Sequence, residues 1–159
     1  MAILRSMASN RGMAQVNRSV LLEYSAPQMF ELVDRVEEYP KFMPWCSHTE
    51  LKYRDSERTI ATLHVDFKAV KSHFTTRNSK RAPHHMEIAL VDGPFRRLDG
   101  AWQFMALDEH ACKVDFSLHY EFSSKLFERI IGPVFSHITG SFVDAFVKRA
   151  RHVYGGQNV

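Results

Sequence analysis

The last apolar stretch, Leu126 to Tyr154, constrains the fold most. Apolar residues recur there at helical spacing: Leu126, Ile130, Val134, Ile138, Phe142, Phe146 and Ala150. A neighbouring row runs Phe127, Ile131, Phe135, Val143, Val147 and Val153. Two adjacent rows make one wide apolar stripe, as in a helix that lies on a core. Ser136, His137, Ser141, Asp144, Lys148 and Arg151 fall between the rows and supply a solvated face. Gly132-Pro133 interrupts the pattern. Proline has no N–H and is tolerated in the first turn of a helix but not inside one. The spacing therefore predicts a short helix ending near Ile131 and a second beginning at Pro133. The second is about 20 residues, roughly 30 Å long. It demands an equally long apolar surface, which the preceding residues must supply.

Between Ser47 and Phe122 the apolar period changes to two. Six runs stand out, near His48–Arg54, Thr59–Phe67, Lys71–Ser79, His84–Asp92, Phe95–Leu107 and Cys112–Phe122. The polar breaks between them are short enough to be hairpins, so the sheet is antiparallel. Ala61, Leu63, Val65 and Phe67 alternate with Thr62, His64, Asp66 and Lys68. Val114, Phe116, Leu118, Tyr120 and Phe122 alternate with Asp115, Ser117, His119 and Glu121. One face is dry and the other wet. Upstream, Val16 to Tyr24 reads as a strand. Ser25, Pro27 and Gln28 then mark a helix start. Met29, Phe30, Leu32, Val33 and Val36 give that helix its apolar face, and Tyr39-Pro40 ends it. The order is strand, helix, six strands, long helix. The expected fold is α+β: a curved seven-stranded antiparallel sheet wrapped around the C-terminal helix.

The 159 residues suit a single domain, taken as 15–155. Residues 1–14 read as a disordered leader or an over-called start, with Met7 and Met13 as alternative starts, and 156–159 as a tail. The net charge of +3 permits an anionic partner without demanding one. Cys46 and Cys112 lie far apart, which fits a reducing compartment and a cytoplasmic location. No apolar run reaches the length of a membrane span.

Chemistry is sparsely signalled. Cys46 has no base or activating charge near it in sequence. No Ser-His-acid pattern and no glycine-rich phosphate loop is present, so no catalytic residue is assigned. His64 and Asp66 share a face at strand spacing, and His73 can sit on the next strand. That face is wet and lacks a helical His pair or a Cys cluster, so the reading is solvated histidines and no metal. Phe42-Met43-Pro44-Trp45-Cys46 is an unusually apolar loop, either a plug for one end of the core or the rim of a ligand cavity. Gly100, among large dry-face residues, marks either a bend or room for a ligand. Basic residues gather at Lys68 and Lys71 through Arg81, and again at Lys148, Arg149 and Arg151. Both groups read as ordinary solvated faces, with direct RNA contact as the alternative.

Several of these stretches carry a resemblance. V-N-R-S, Y-S-A-P-Q-M-F-x-L-V, Y-P-K-F-M-P-W-C, F-T-T-R, D-G-P-F-x-x-L-x-G-x-W-x-F and V-D-A-F-V-x-R-A, in this order of elements, resemble the coenzyme-Q-binding START-like family. The resemblance covers Val16 to Tyr154. It implies a helix-grip fold with a tunnel between sheet and C-terminal helix. It also implies non-enzymatic binding of ubiquinone or a similar isoprenoid lipid in support of respiration, with transient membrane contact. For the family's bacterial ribosome-association toxins it implies binding to the large ribosomal subunit that blocks subunit joining. No DNA partner and no cofactor beyond such a lipid are expected. Cyclase or aromatase chemistry would rest on analogy between folds alone. The tunnel is expected where Trp102, Phe104, Phe116, Leu118 and Tyr120 of the sheet face Phe135, Ile138, Phe142 and Phe146 of the helix. Gly100 would leave a gap beside Trp102, Trp45 would form the mouth, and the Tyr120 hydroxyl would meet a quinone oxygen.

Overall fold

In the computed structural model, which describes residues 3–10 and 13–155, the period-two segments form one antiparallel sheet. Its strands are β1 (Ile3–Asn10), β2 (Met13–Leu22), β3 (Cys46–Arg54), β4 (Arg58–Phe67), β5 (Val70–Arg81), β6 (His85–Asp92), β7 (Phe95–Asp108) and β8 (Ala111–Phe122). Their spatial order is β1-β2-β8-β7-β6-β5-β4-β3. From β3 to β8 each strand pairs with the next in sequence, and β2 closes onto β8 from the far end of the chain. The β4–β5 hairpin turns through Lys68 and Ala69, both at positive φ. That two-residue geometry matches the right-handed twist of the flanking strands. Strand β8 buries every second residue from Cys112 to Phe122, as its alternation dictates.

Two helices occupy the dry side of the sheet, α1 (Ala26–Asp34) and α2 (Lys125–Tyr154). Ser25 caps α1 reciprocally: its hydroxyl accepts from the Gln28 amide, and the Gln28 side chain accepts from the Ser25 amide. The helix ends at Asp34 rather than running to Tyr39. A 3-10 turn, Val36–Lys41, replaces its expected last turns. Bidentate pairing of Arg54 with Glu37, at 2.7 and 2.8 Å, ties that turn to β3.

The expected break at Gly132-Pro133 does not occur. Helix α2 is continuous through both residues over 30 residues. Proline costs one helical hydrogen bond, the one to the Arg129 carbonyl, and crowds that carbonyl. Here Arg129 and Pro133 are exposed, so water can take up the freed carbonyl. Ile131, Val134 and Phe135 on either side are buried, and their burial outweighs the local rule. Pro133→Ala should restore the hydrogen bond. We expect a gain of about 1–2 kcal/mol, less than the ~3 kcal/mol propensity difference because proline also restricts the unfolded chain. Denaturant unfolding of the two proteins checks this. Unchanged stability would mean that the helix bends at Pro133 at no cost.

Continuity also changes how α2 reads as a membrane segment. Its length and a mean hydropathy of 1.4 over one 18-residue window meet the criteria for a span. Nine of its residues are nevertheless buried inside the fold, as in a core helix. Its first turns are the exception. Leu126, Phe127 and Ile130, expected in the buried stripe, are 41–56% exposed because α2 begins beyond the edge of its packing surface.

Strand β1 lies in the segment expected to be a disordered leader and makes the sheet eight-stranded. It pairs with β2 from Ile3 opposite Val20 to Asn10 opposite Met13. The edge of β2 opposite β8 would otherwise leave backbone donors and acceptors unpaired, and pairing with them needs no special composition. The tail expected at 156–159 lies outside the described residues.

Candidate functional site

The strand register brings the aromatic dry-face residues together beneath α2. Trp102 stacks on Phe104 and contacts Phe116, Phe142 and Phe146, with ring centroids 4.4–5.9 Å apart. Tyr120 meets Phe135 edge-on at 4.8 Å. Between these groups and β4–β6 lies an interior cavity of about 60 Å³. Trp45, Trp102, Phe116, Leu118, Phe135, Ile138 and Phe142 line it. Phe104, Tyr120, Phe146 and Gly100 do not. Phe104 instead packs on Phe30 of α1, and Phe146 on Tyr39.

This volume is far below the several hundred Å³ of a cofactor-sized pocket. The aromatic side chains fill their own interior. An isoprenoid tail enters only if they change rotamer.

Gly100 has a clear reason that is not a ligand gap. A Cβ at this position would lie 2.2 Å from the carbonyl oxygen of Ser117 and 3.1 Å from Cα of Leu118. The backbone of β8 occupies the space, so close strand approach requires glycine here. Gly100→Leu would therefore report strand packing and not ligand binding.

The cavity has polar atoms that the alternation pattern did not single out. Thr76 and Asn78 of β5 and Thr139 of α2 line it. Asn78 is 8% exposed, and its Oδ1 has no hydrogen-bond partner. A buried acceptor without a partner costs roughly 1–3 kcal/mol, so this atom is a ready anchor for a donor. Its only sequence signal was an amide in an alternating strand. Burial pushes the Tyr120 phenol up, with Thr139 in hydrogen-bonding reach opposing that shift. Burial also raises the Tyr39 phenol, which donates to the Val33 carbonyl.

The loop before β3 serves as both plug and rim. Met43, Trp45 and Cys46 are buried, whereas Pro44 is exposed. Trp45 lines the interior cavity on one side and a surface groove of about 670 Å³ on the other. Burial raises the Cys46 thiol to about 11 and the Cys112 thiol likewise to about 11. Both are protonated at neutral pH and unsuited to nucleophilic work.

The groove runs between the 3-10 turn and the polar side of α2. Lys41, His137, Lys148, Arg149 and His152 line it, with Asp144 among them. Phe67, at the end of β4, completes the rim and stacks on His137 at 5.1 Å. Lys68 follows it in the hairpin turn, with its ammonium 5.5 Å from the Phe67 ring centroid. One member of the first basic cluster, Lys68, thus lies beside the groove that Lys148 and Arg149 of the second line. The candidate trio on α2 divides. Lys148 and Arg151 are exposed, whereas Arg149 lies over the Phe42 ring at 5.1 Å and faces Glu38 at 3.5 Å. Arg149 is committed to holding the loop.

Comparison with known proteins adds sequence and fold relationships. The family model described as polyketide cyclase / dehydrase and lipid transport matches residues 22–147. A ribosome association toxin RatA from Vibrio cholerae is 43% identical over 143 residues, covering 90% of this chain and 99% of that protein. The mitochondrial coenzyme Q-binding protein COQ10 homolog B of Xenopus laevis is 29% identical over 149 residues, covering 91% of this chain and 61% of that protein. Among solved structures, the Zhui aromatase/cyclase of Streptomyces superposes with a TM-score of 0.73 at 15% identity. It covers 92% of this chain and 99% of that one, a likeness of fold.

Proposed function

This chain belongs to the polyketide cyclase / dehydrase and lipid transport family, and from that premise we propose that it associates with the large ribosomal subunit and blocks subunit joining. The observation that carries this reading is the 43% identity to a ribosome association toxin over nearly the whole of that protein. The exposed cations Lys68, Lys148 and Arg151 support it, because rRNA phosphates are the partner such side chains favour. The action is binding, without catalysis, and the location cytoplasmic.

Cosedimentation with purified large subunits at graded salt tests it. Reversing charge at Lys68, Lys148 and Arg151 removes exposed groups while sparing Arg149. We expect weaker association and a log–log salt slope shallower by roughly 2–3, about one for each phosphate no longer neutralised. Unaltered association in the triple variant, or wild-type binding that ignores salt, would overturn the electrostatic part of this reading. A wild-type protein that never cosediments would overturn the whole.

A second reading is binding of ubiquinone or a similar isoprenoid in the interior, where the orphaned Asn78 acceptor suits a hydroxyl donor such as that of the reduced quinol and not a quinone carbonyl. The Xenopus relative, named as coenzyme Q-binding, supports it. The exposed Leu126, Phe127 and Ile130 would give such a protein an apolar shoulder for transient membrane contact. Mass spectrometry of organic extracts from the purified protein tests this, and extracts without isoprenoid from protein expressed with a quinone pool would sink it.

A further inference from the structure

Three histidines form a ladder on the outer face of the sheet. The register sets His48 of β3 opposite His64 of β4, and His64 opposite His73 of β5. Directly paired residues share a face. It is the face away from α2, because Leu63 and Val65 on either side of His64 are buried in the core. The His48 and His64 rings stack with centroids 3.8 Å apart, and His73 follows at 5.4 Å from His64. Glu50, two residues along β3 and so on the same side as His48, reaches diagonally. Its Oε2 lies 2.6 Å from Nε2 of His64. One donor atom from each of His48, Glu50 and His64 lies within 4.8 Å of the other two.

We propose that His48, Glu50 and His64 form a binding site for a divalent transition-metal ion, Zn²⁺ in particular. Two imidazoles and one carboxylate are the borderline donors that Zn²⁺ accepts, with bonds of about 2.0–2.2 Å. Tetrahedral geometry then sets donors roughly 3.3 Å apart. The His64–Glu50 distance is shorter than that and the outer limit of the cluster longer, so rotation of surface side chains closes the site without backbone movement. The ion takes the place of the hydrogen bond between His64 and Glu50: Nε2 of His64 coordinates as a neutral imidazole with its one proton on Nδ1, and any further proton is released to solvent. Solvent fills the fourth position. Nitrogen donors in the majority disfavour Mg²⁺ and Ca²⁺, which prefer oxygen.

The backbone supplies a second observation. The β3–β4 register shifts between Cys46 and His48. Bulges of this kind re-aim side chains and recur beside functional sites. Strand β3 is also the last in the sheet order. An ion held by two β3 residues and one β4 residue would pin that edge strand.

The test is Zn²⁺ titration of tag-free protein by calorimetry in a non-coordinating buffer, with Co²⁺ absorption as a geometric readout. Saturable binding of one ion per chain is expected, with visible bands of tetrahedral Co²⁺ and a rise in the unfolding midpoint with added Zn²⁺. His64→Ala should weaken binding at least about tenfold. Glu50→Gln, an exposed change on an edge strand, should weaken it as well, and His110→Ala should not. Absence of saturable binding, or equal binding by wild type and His64→Ala, overturns the proposal.

Discussion

Trp102→Ala is expected to destabilise the protein by about 3–5 kcal/mol, the usual cost of deleting a fully buried large aromatic. For a domain of this size that corresponds to a fall in Tm of roughly 6–20 °C. Trp102 is 2% exposed and contacts four phenylalanine rings, two from the sheet and two from α2. Rings held by strands and a 30-residue helix cannot collapse far into the space left behind, so the cavity term adds to the lost transfer energy. Thermal unfolding measures the effect. Added benzene or indole should restore part of it by occupying the enlarged cavity. A loss under about 1 kcal/mol would show that the aromatic cluster repacks, contrary to the close packing described above.

Asp144→Ala should cost about 3 kcal/mol, roughly 6–12 °C in Tm. The Arg18 side chain is 1% exposed, on the dry side of β2 between Val16 and Val20. Its guanidinium donates to Asp144 at 2.7 Å and to the Gly140 carbonyl at 2.9 Å. Without the carboxylate the buried cation keeps, among the described residues, only a neutral partner, the Gly140 carbonyl. Asp144 opens on the groove and is 39% exposed, so water offsets part of the loss and the effect falls at the lower end for buried pairs. The double variant Arg18→Met/Asp144→Leu removes both charges and should recover most of the stability. A double variant as unstable as Asp144→Ala would mean that the pair is essential to packing and not merely internally compensated.

The sheet was legible because alternation is a many-residue signal. Strands β4 and β8 repeat the dry–wet pattern several times, whereas β3 and β6 bury one residue each and rest on the short hairpins beside them. The start of α1 was legible from three residues with a local mechanism. Errors came where one residue's local rule met a larger tertiary term. Pro133 forbids a helix locally, yet the apolar residues around it outweigh that rule. Gly100 is explained by the backbone of β8, some seventeen residues away in sequence. Asn78 and Lys80 look like solvated residues of a strand. Only the fold places them inside, where Lys80 pairs with Asp34 at 3.2 Å and Asn78 faces the cavity. The candidate cavity residues were readable as dry, but which of them share one space was not. The histidine ladder depends likewise on the β3–β4–β5 register, bulge included.

Trp45 is a single partition between two compartments, the narrow interior and the cationic groove. A partition shared in this way couples them to the extent that an occupant of one side shifts the indole. Any occupant of the interior that turns the indole changes the groove's free energy of association by some amount, and association at the groove must change the interior's affinity by the same amount. Ribosome association and lipid binding therefore need not be rival occupations of this chain. If both occur, each reports on the other, with the indole of Trp45 as the element through which the exchange passes.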